Sequence, residues 1–196
     1  MADEEKKIRA FLAIEPPVEI LAAVSRLQEK LKRELAGKVS WTRPEGNHLT
    51  LKFFGYIDQS DVDNICQAVR KRAALVKPLS LTVKKIGVFP SPKRARVLWI
   101  GIEGEMERLA ALQNDLDKDF ASLGFPRESR PFKGHLTLGR IKLPGSVQGI
   151  EEALEKYEDF TAGEFQAREL VLFQSHLSSH GATYTRLQTI MLGESE

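Results

Sequence analysis

The tetrapeptide His48-Leu49-Thr50-Leu51 recurs as His135-Leu136-Thr137-Leu138, 87 residues later, in a chain with only 4 histidines. An exact four-residue repeat of any kind is expected on the order of 0.2 times by chance in a chain this long. One that starts on histidine is expected roughly 0.001 times, so the repeat is read as a signal. In an extended strand alternate residues share a face. Each copy therefore presents an imidazole and a hydroxyl about 6.6 Å apart, backed by two leucines on the other side. Two such strands, opposed, make a near-symmetric cup of two imidazoles and two hydroxyls.

Imidazole, with an ordinary pKa near ~6.5, gives or takes a proton at neutral pH. Opening a cyclic phosphodiester needs both roles at once, because water must lose a proton while the departing ribose oxygen gains one. Two histidines on opposite sides of phosphorus suit in-line displacement. The threonine hydroxyls can donate to the non-bridging oxygens, where negative charge grows. A catalytic zinc site wants three protein ligands, and neither histidine sits in a cluster of such groups in the sequence. No metal and no cofactor are expected.

The elements that must position these residues are legible from hydrophobic periodicity. Arg9 to Ile14 is a short apolar run, read as a buried strand and ended by Glu15-Pro16-Pro17. Val18 to Leu35 has a helical period, with Ile20, Leu21, Val24, Leu27, Leu31 and Leu35 apolar. His48 to Phe54 reads as a strand stopping at Gly55, Asp61 to Leu75 as a helix, and Leu79 to Val88 and Val97 to Ile102 as strands. Glu105 to Leu123 is a helix, Phe132 to Ile141 a strand, and Glu151 to Tyr157 a short helix. Leu170 to Phe173 and Tyr184 to Met191 are strands around a polar turn. Strands and helices mix without regular alternation, which predicts an α+β fold with antiparallel pairing.

Composition narrows the class. At 196 residues, with 42% hydrophobic and 29% charged residues, the chain is expected to form a single domain over 1–196. A net charge of +2 is too small for a genome-coating role. The lone Cys66 excludes an internal disulfide framework and fits a reducing compartment. Its helix-like setting makes it a small core residue. Met1 to Lys7 is charged and lacks the apolar stretch of a secretory signal. No apolar run approaches the ~20 residues of a membrane span, so a cytoplasmic location is expected. A monomer is expected too, since no long apolar surface stripe stands out.

The paired motifs, in Trp41 to Gly55 and in Phe132 to Arg140, resemble those of the 2H phosphoesterase superfamily. Within it the chain is most similar to the RNA 2′,3′-cyclic phosphodiesterases, historically called 2′-5′ RNA ligases. The likeness covers nearly the whole chain, including Arg9-Ala10-Phe11-Leu12-Ala13-Ile14, Gly87-Val88-Phe89-Pro90 with Arg96-Val97-Leu98-Trp99, and Leu172-Phe173-Gln174-Ser175 with Tyr184. The resemblance implies a bilobal 2H phosphoesterase fold, with two pseudo-symmetric lobes of antiparallel sheet and flanking helices around a central cleft. It also implies that His48 is the proton donor to the leaving 3′ oxygen and His135 the base that activates water, giving a 2′-phosphate. The implied partners are RNA ends with a 2′,3′-cyclic phosphate, transfer RNA fragments among them, or cyclic nucleotides. The alternatives are the reverse reaction, 2′-5′ ligation, and a non-catalytic RNA-binding protein. One departure is Gly134, where relatives commonly carry proline.

Thr50 and Thr137 are candidate substrate-binding residues, as are three cations. Lys52 is expected on the same face as Thr50. Arg140 lies on the opposite face of a regular strand, and a bulge at Gly139 would turn it inward. Arg130 lies in the loop before Phe132. Lys84, Lys85, Lys93, Arg94 and Arg96 form a candidate path for an RNA backbone. Phe89 or Phe132 could stack on a terminal base, although core packing is the commoner fate of such residues. His176 and His180 are four apart, but they read as parts of a polar turn with no third ligand, not as a metal site.

Overall fold

The structure, a computed structural model, describes residues 7–178 and 181–193. Met1 to Lys6, within the charged start, and His180 lie outside the described residues. Nine strands run in the order β1 (Lys7–Ile14), β2 (Val39–Trp41), β3 (Leu49–Asp58), β4 (Leu79–Phe89), β5 (Val97–Gly104), β6 (His135–Ile141), β7 (Thr161–Ala167), β8 (Glu169–Ser178) and β9 (Gly181–Met191). The α-helices are α1 (Val18–Glu34), α2 (Asp61–Ala73), α3 (Met106–Ser122) and α4 (Ile150–Lys156).

The strands form two antiparallel sheets, ordered β3-β1-β8-β9 and β2-β6-β5-β4-β7. The fold is bilobal and pseudo-symmetric, with one H-x-T strand in each sheet: β3 on the edge of the first, β6 inside the second. Each lobe lends a helix to the other. Helix α1, which follows β1 of the first sheet, packs on β7 of the second; α3, which follows β5 of the second, packs on α2 and β3.

The apolar period of α1 is the reason for its placement. Ile20, Val24, Leu27 and Leu31 are all buried, and each fully buried side chain of this kind contributes roughly 1.5–3 kcal/mol. The run Arg9 to Ile14 is apolar on both faces because β1 is covered on both. Leu12 and Ile14 join the main core, while Phe11 and Ala13 join a second small cluster with Val171, Phe173 and Tyr184.

Several boundaries differ from expectation. Strand β3 runs on past Gly55, which takes a positive φ of 76° beside a register shift. Glycine carries this backbone without strain. Strand β6 begins only at His135, and β8 and β9 are longer than the apolar signal suggested, so His176 lies on β8, its Nε2 3.1 Å from Thr185 Oγ1. The short β2 and the polar edge strand β7 carry too little periodicity to be read. Cys66 is buried in α2 as expected, and burial pushes its thiol up. No helix among the described residues is long and apolar enough to cross a membrane.

Candidate active site

Each H-x-T strand carries a β-bulge at the same place. In β3 the pairs with β1 run Ala13↔Thr50 and then Leu12↔Lys52, leaving Leu51 without a partner. In β6 the pairs with β5 run Trp99↔Thr137 and then Leu98↔Gly139, leaving Leu138 without one. A bulge puts two successive residues on one side and inverts the alternation beyond it. Leu51 and Lys52 therefore both turn away from the cleft, and Phe53 turns toward it. Leu138 and Gly139 both turn away, and Arg140 turns toward it.

This corrects the expectation for Lys52. Its Nζ is buried on the helix side, 2.7 Å from Asp117 Oδ1 of α3, and also donates to the Pro126 carbonyl. Asp117 accepts further hydrogen bonds from Arg127 Nε and the Glu128 amide. Burial opposes its ionisation, yet the Lys52 ammonium and these donors hold the carboxyl below its ordinary value. Lys52 thus ties β3 to the loop that leads to β6. Arg140 meets the other expectation: the bulge exists, at Leu138, one residue before the glycine singled out in the sequence.

The bulge carbonyls are not left bare. Gln28, buried in α1, donates through Nε2 to the carbonyls of Leu138, at 2.8 Å, and Thr42, at 2.9 Å. Gln113, buried in α3, donates to the carbonyl of Leu51 at 3.3 Å. The swapped helices therefore support matching points of the two motifs.

A cavity of about 220 Å³ opens between the lobes, lined by Arg9, Phe11, Thr42, Gly46, His48, Thr50, Phe53, Thr137, Arg140 and Tyr184. It brings one H-x-T threonine from each sheet together with His48 and Arg140. His135 shares the face of β6 that carries Thr137, and its ring stands edge-on to Phe89 at 5.2 Å. The motifs also meet behind the cleft: a Cβ on Gly134 would lie 3.6 Å from Leu49 Cδ1 and 2.9 Å from Met106 Cε. The glycine leaves this space to the end of the Met106 side chain.

The two imidazoles are held alike but have different charged neighbours. His135 Nδ1 donates to the carbonyl of Lys133 at 2.6 Å. A carbonyl can only accept, so neutral His135 carries its proton on Nδ1 and a lone pair on Nε2. Burial holds its pKa below the ordinary value; Arg140 and Lys133 push the same way, against the Lys133 carbonyl. His48 lies between Phe11, Phe173 and Tyr184, with ring centroids 5.7, 4.5 and 5.2 Å away, and its ring hydrogen-bonds the backbone of Gly46. Burial again lowers its pKa; the nearby Glu15 carboxylate opposes this, and Arg186 adds to it.

Arg130 is exposed on the loop before β6 and is not among the residues that line the cavity. Lys84 and Lys85 are ion-paired with Glu103, at 3.4 and 3.6 Å, whereas Lys93, Arg94 and Arg96 are exposed. Phe132 packs against the main core. Phe89 is half-buried, with the Lys133 ammonium 5.1 Å over its ring. Arg9, Phe11, Phe53 and Tyr184 were not singled out from the sequence as site residues. Arg9 and Phe11 alternate along β1, the one signal that could have found them; Phe53 is hidden by the bulge. Among the described residues no group of three or more His, Cys, Asp or Glu side chains is placed to hold a metal ion.

Comparison with known proteins gives a consistent result. The family model "LigT like Phosphoesterase" matches twice, over residues 14–99 and 100–184, one match for each H-x-T motif. The chain is 34% identical over 186 residues to an RNA 2′,3′-cyclic phosphodiesterase of Methanothermobacter thermautotrophicus, covering 95% of this chain and all of the relative. It is 31% identical to the protein of that name from Methanocaldococcus jannaschii, covering 90% and 96% of the two chains. Among solved structures it resembles TT0787 of Thermus thermophilus, with TM-score 0.75 and 25% identity over 96% of this chain and all of the other. Escherichia coli LigT complexed with 3′-AMP gives TM-score 0.72 at 25% identity, with the same coverage.

Proposed function

This chain is a hydrolase that belongs to the LigT-like phosphoesterase family, and we propose that it opens 2′,3′-cyclic phosphates at RNA ends by acid–base catalysis between His48 and His135. The observation that carries this is the shared cavity, lined by Thr50 of one sheet and Thr137 of the other together with His48 and Arg140.

A cyclic phosphate seated between the threonines receives their hydroxyl hydrogen bonds on its non-bridging oxygens. Arg140 of β6 and Arg9 of β1 supply positive charge from the two sheets; the fork of an arginine suits phosphate oxygens. His135 takes a proton from water on its Nε2 lone pair, since its Nδ1 proton is committed to the Lys133 carbonyl. His48, protonated, gives its proton to the leaving 3′ oxygen, and the phosphate stays on the 2′ oxygen. Phe53, 52% exposed, lines the cavity and, with Phe11 and Tyr184, offers an apolar wall to the nucleoside. The relatives' names support this substrate class.

The test is incubation with adenosine 2′,3′-cyclic phosphate in excess chelator, with the product read by phosphorus NMR. Turnover that survives chelation and yields the 2′-phosphate is expected. The 3′-phosphate as product would overturn the assignment of the leaving oxygen. Activity lost with chelator and restored by zinc would overturn the two-histidine mechanism.

A further inference from the structure

The two lobes carry the same H-x-T motif and a matching bulge, which leaves open what makes one histidine a donor and the other an acceptor. Opposite His135, across the β5–β6 ladder, stands Gly101. In the first lobe the last recorded pair of the β1–β3 ladder is Ile14↔Leu49, matching Ile100↔Leu136 in the second. One step further along places Glu15 opposite His48. The matching positions are therefore a carboxylate in one lobe and a hydrogen atom in the other.

Side-chain geometry agrees with this register. Glu15 Oε1 lies 3.7 Å from His48 Nε2, and its other oxygen pairs with the guanidinium of Arg186 on β9. At 3.7 Å the carboxylate is too far to claim the imidazole proton in a hydrogen bond and close enough to stabilise the charged ring. An equivalent side chain in the second lobe would be crowded. A Cβ on Gly101 would lie 3.1 Å from the Lys84 carbonyl oxygen and 3.4 Å from the Trp99 ring.

We propose that Glu15 is the positioning residue that makes the lobes chemically unequal, favouring the protonated, donating form of His48, while Gly101 leaves His135 with no facing carboxylate, to act as the base. The surroundings of each ring are consistent. Facing His48 are Glu15 from the end of β1, Arg186 and the Tyr184 phenol from β9, and, lining the same cavity, Arg9 of β1 and Arg140 of β6. Glu15 is the one anion in that set. The charged groups acting on His135 are Arg140 and Lys133, both cations. The proposal rests on the two-histidine mechanism, and Glu15 itself exchanges no proton with the substrate.

Two substitutions push in opposite directions. Glu15→Gln removes the anion with little change of shape, and Arg186→Met removes the cation that offsets it. Imidazole midpoints of His48 and His135 are followed by NMR titration of the substrate-free protein, alongside kcat/KM against pH for a 2′,3′-cyclic nucleotide. Glu15→Gln is expected to move the His48 midpoint and the alkaline limb down by about one pH unit, leaving His135 and the acid limb in place. Arg186→Met is expected to move the His48 midpoint upward, and Glu15→Asp to restore most of the wild-type alkaline limb. A His48 midpoint that does not respond to Glu15→Gln, or equal movement of both histidines, overturns the proposal. Absence of cyclic phosphate hydrolysis in the wild type would instead overturn the proposed function, and the titration would still decide what Glu15 does.

Discussion

The Nε2 of Gln28 donates to the carbonyl of Leu138 at 2.8 Å, and that one bond joins a helix rooted in the first lobe to the bulge that aims Arg140 into the cleft of the second. Gln28 is itself 2% exposed, so neither partner has water to fall back on. Replacing Gln28 by Leu takes this donor from the Thr42 carbonyl and leaves the Leu138 carbonyl with the Thr42 amide, 2.9 Å away. Loss of a buried partner costs about 1–3 kcal/mol, readable by urea unfolding. Because Arg140 depends on the bulge, kcat/KM should fall more than the lost stability accounts for at a temperature where the variant is fully folded. Gln28→Leu with wild-type stability and turnover would show that the bulge needs no support.

Lys52 provides a contrast, since it stands two residues from Thr50 and yet belongs to the scaffold. Lys52→Met should destabilise the protein by about 3 kcal/mol, the scale for stripping one partner from a buried ion pair, because Asp117 at 5% side-chain exposure loses its principal cation. A variant as stable as wild type with a raised KM would return Lys52 to the phosphate.

Arg140 and Arg130, which look alike in sequence, should behave differently. Arg140→Ala is expected to lower kcat/KM by roughly 10- to 100-fold, as for loss of charge-assisted hydrogen bonds to phosphate. Arg130→Ala is expected to stay within about twofold, the scale of surface substitutions away from a site. Steady-state kinetics on a cyclic nucleotide separates them. Equal losses would place Arg130 at the cavity.

Both histidines are held below their ordinary pKa by burial, which fixes the sign of a stability effect. The unfolded chain then binds more protons than the folded one as pH falls below the ordinary imidazole value near ~6.5, so stability is lost on acidification through that region. Thermal unfolding of the substrate-free protein should show Tm falling from pH 7.5 to 5.5. The slope should flatten in the His48→Gln/His135→Gln variant. A slope unchanged in that variant would assign the acid sensitivity to other groups.

The histidine–threonine pairs were legible because two-residue alternation holds from His48 to Thr50 and from His135 to Thr137, upstream of each bulge. Beyond Leu51 and Leu138 the alternation inverts, and nothing local announces it. The bulges are supported by Gln28 and Gln113, 110 and 62 residues away in sequence, so Lys52 read as cleft-facing and Phe53 went unnoticed. Arg140 was legible only as a conditional, through the bulge expected at Gly139. Glu15 read as the end of a strand beside two prolines, because the pairing that brings it to His48 is tertiary. The cleft-side cluster of Phe11, Phe173 and Tyr184 joins three strands, which a single apolar run cannot reveal.

The most direct test of the catalytic pair is turnover of a 2′,3′-cyclic nucleotide at neutral pH by wild type, His48→Ala, His135→Ala and the double variant. Each single substitution should cost at least ~100-fold, the scale of one general acid or base. Because acid and base serve one transition state, the double variant should fall within about tenfold of the worse single. Undiminished turnover in either single variant would contradict the account.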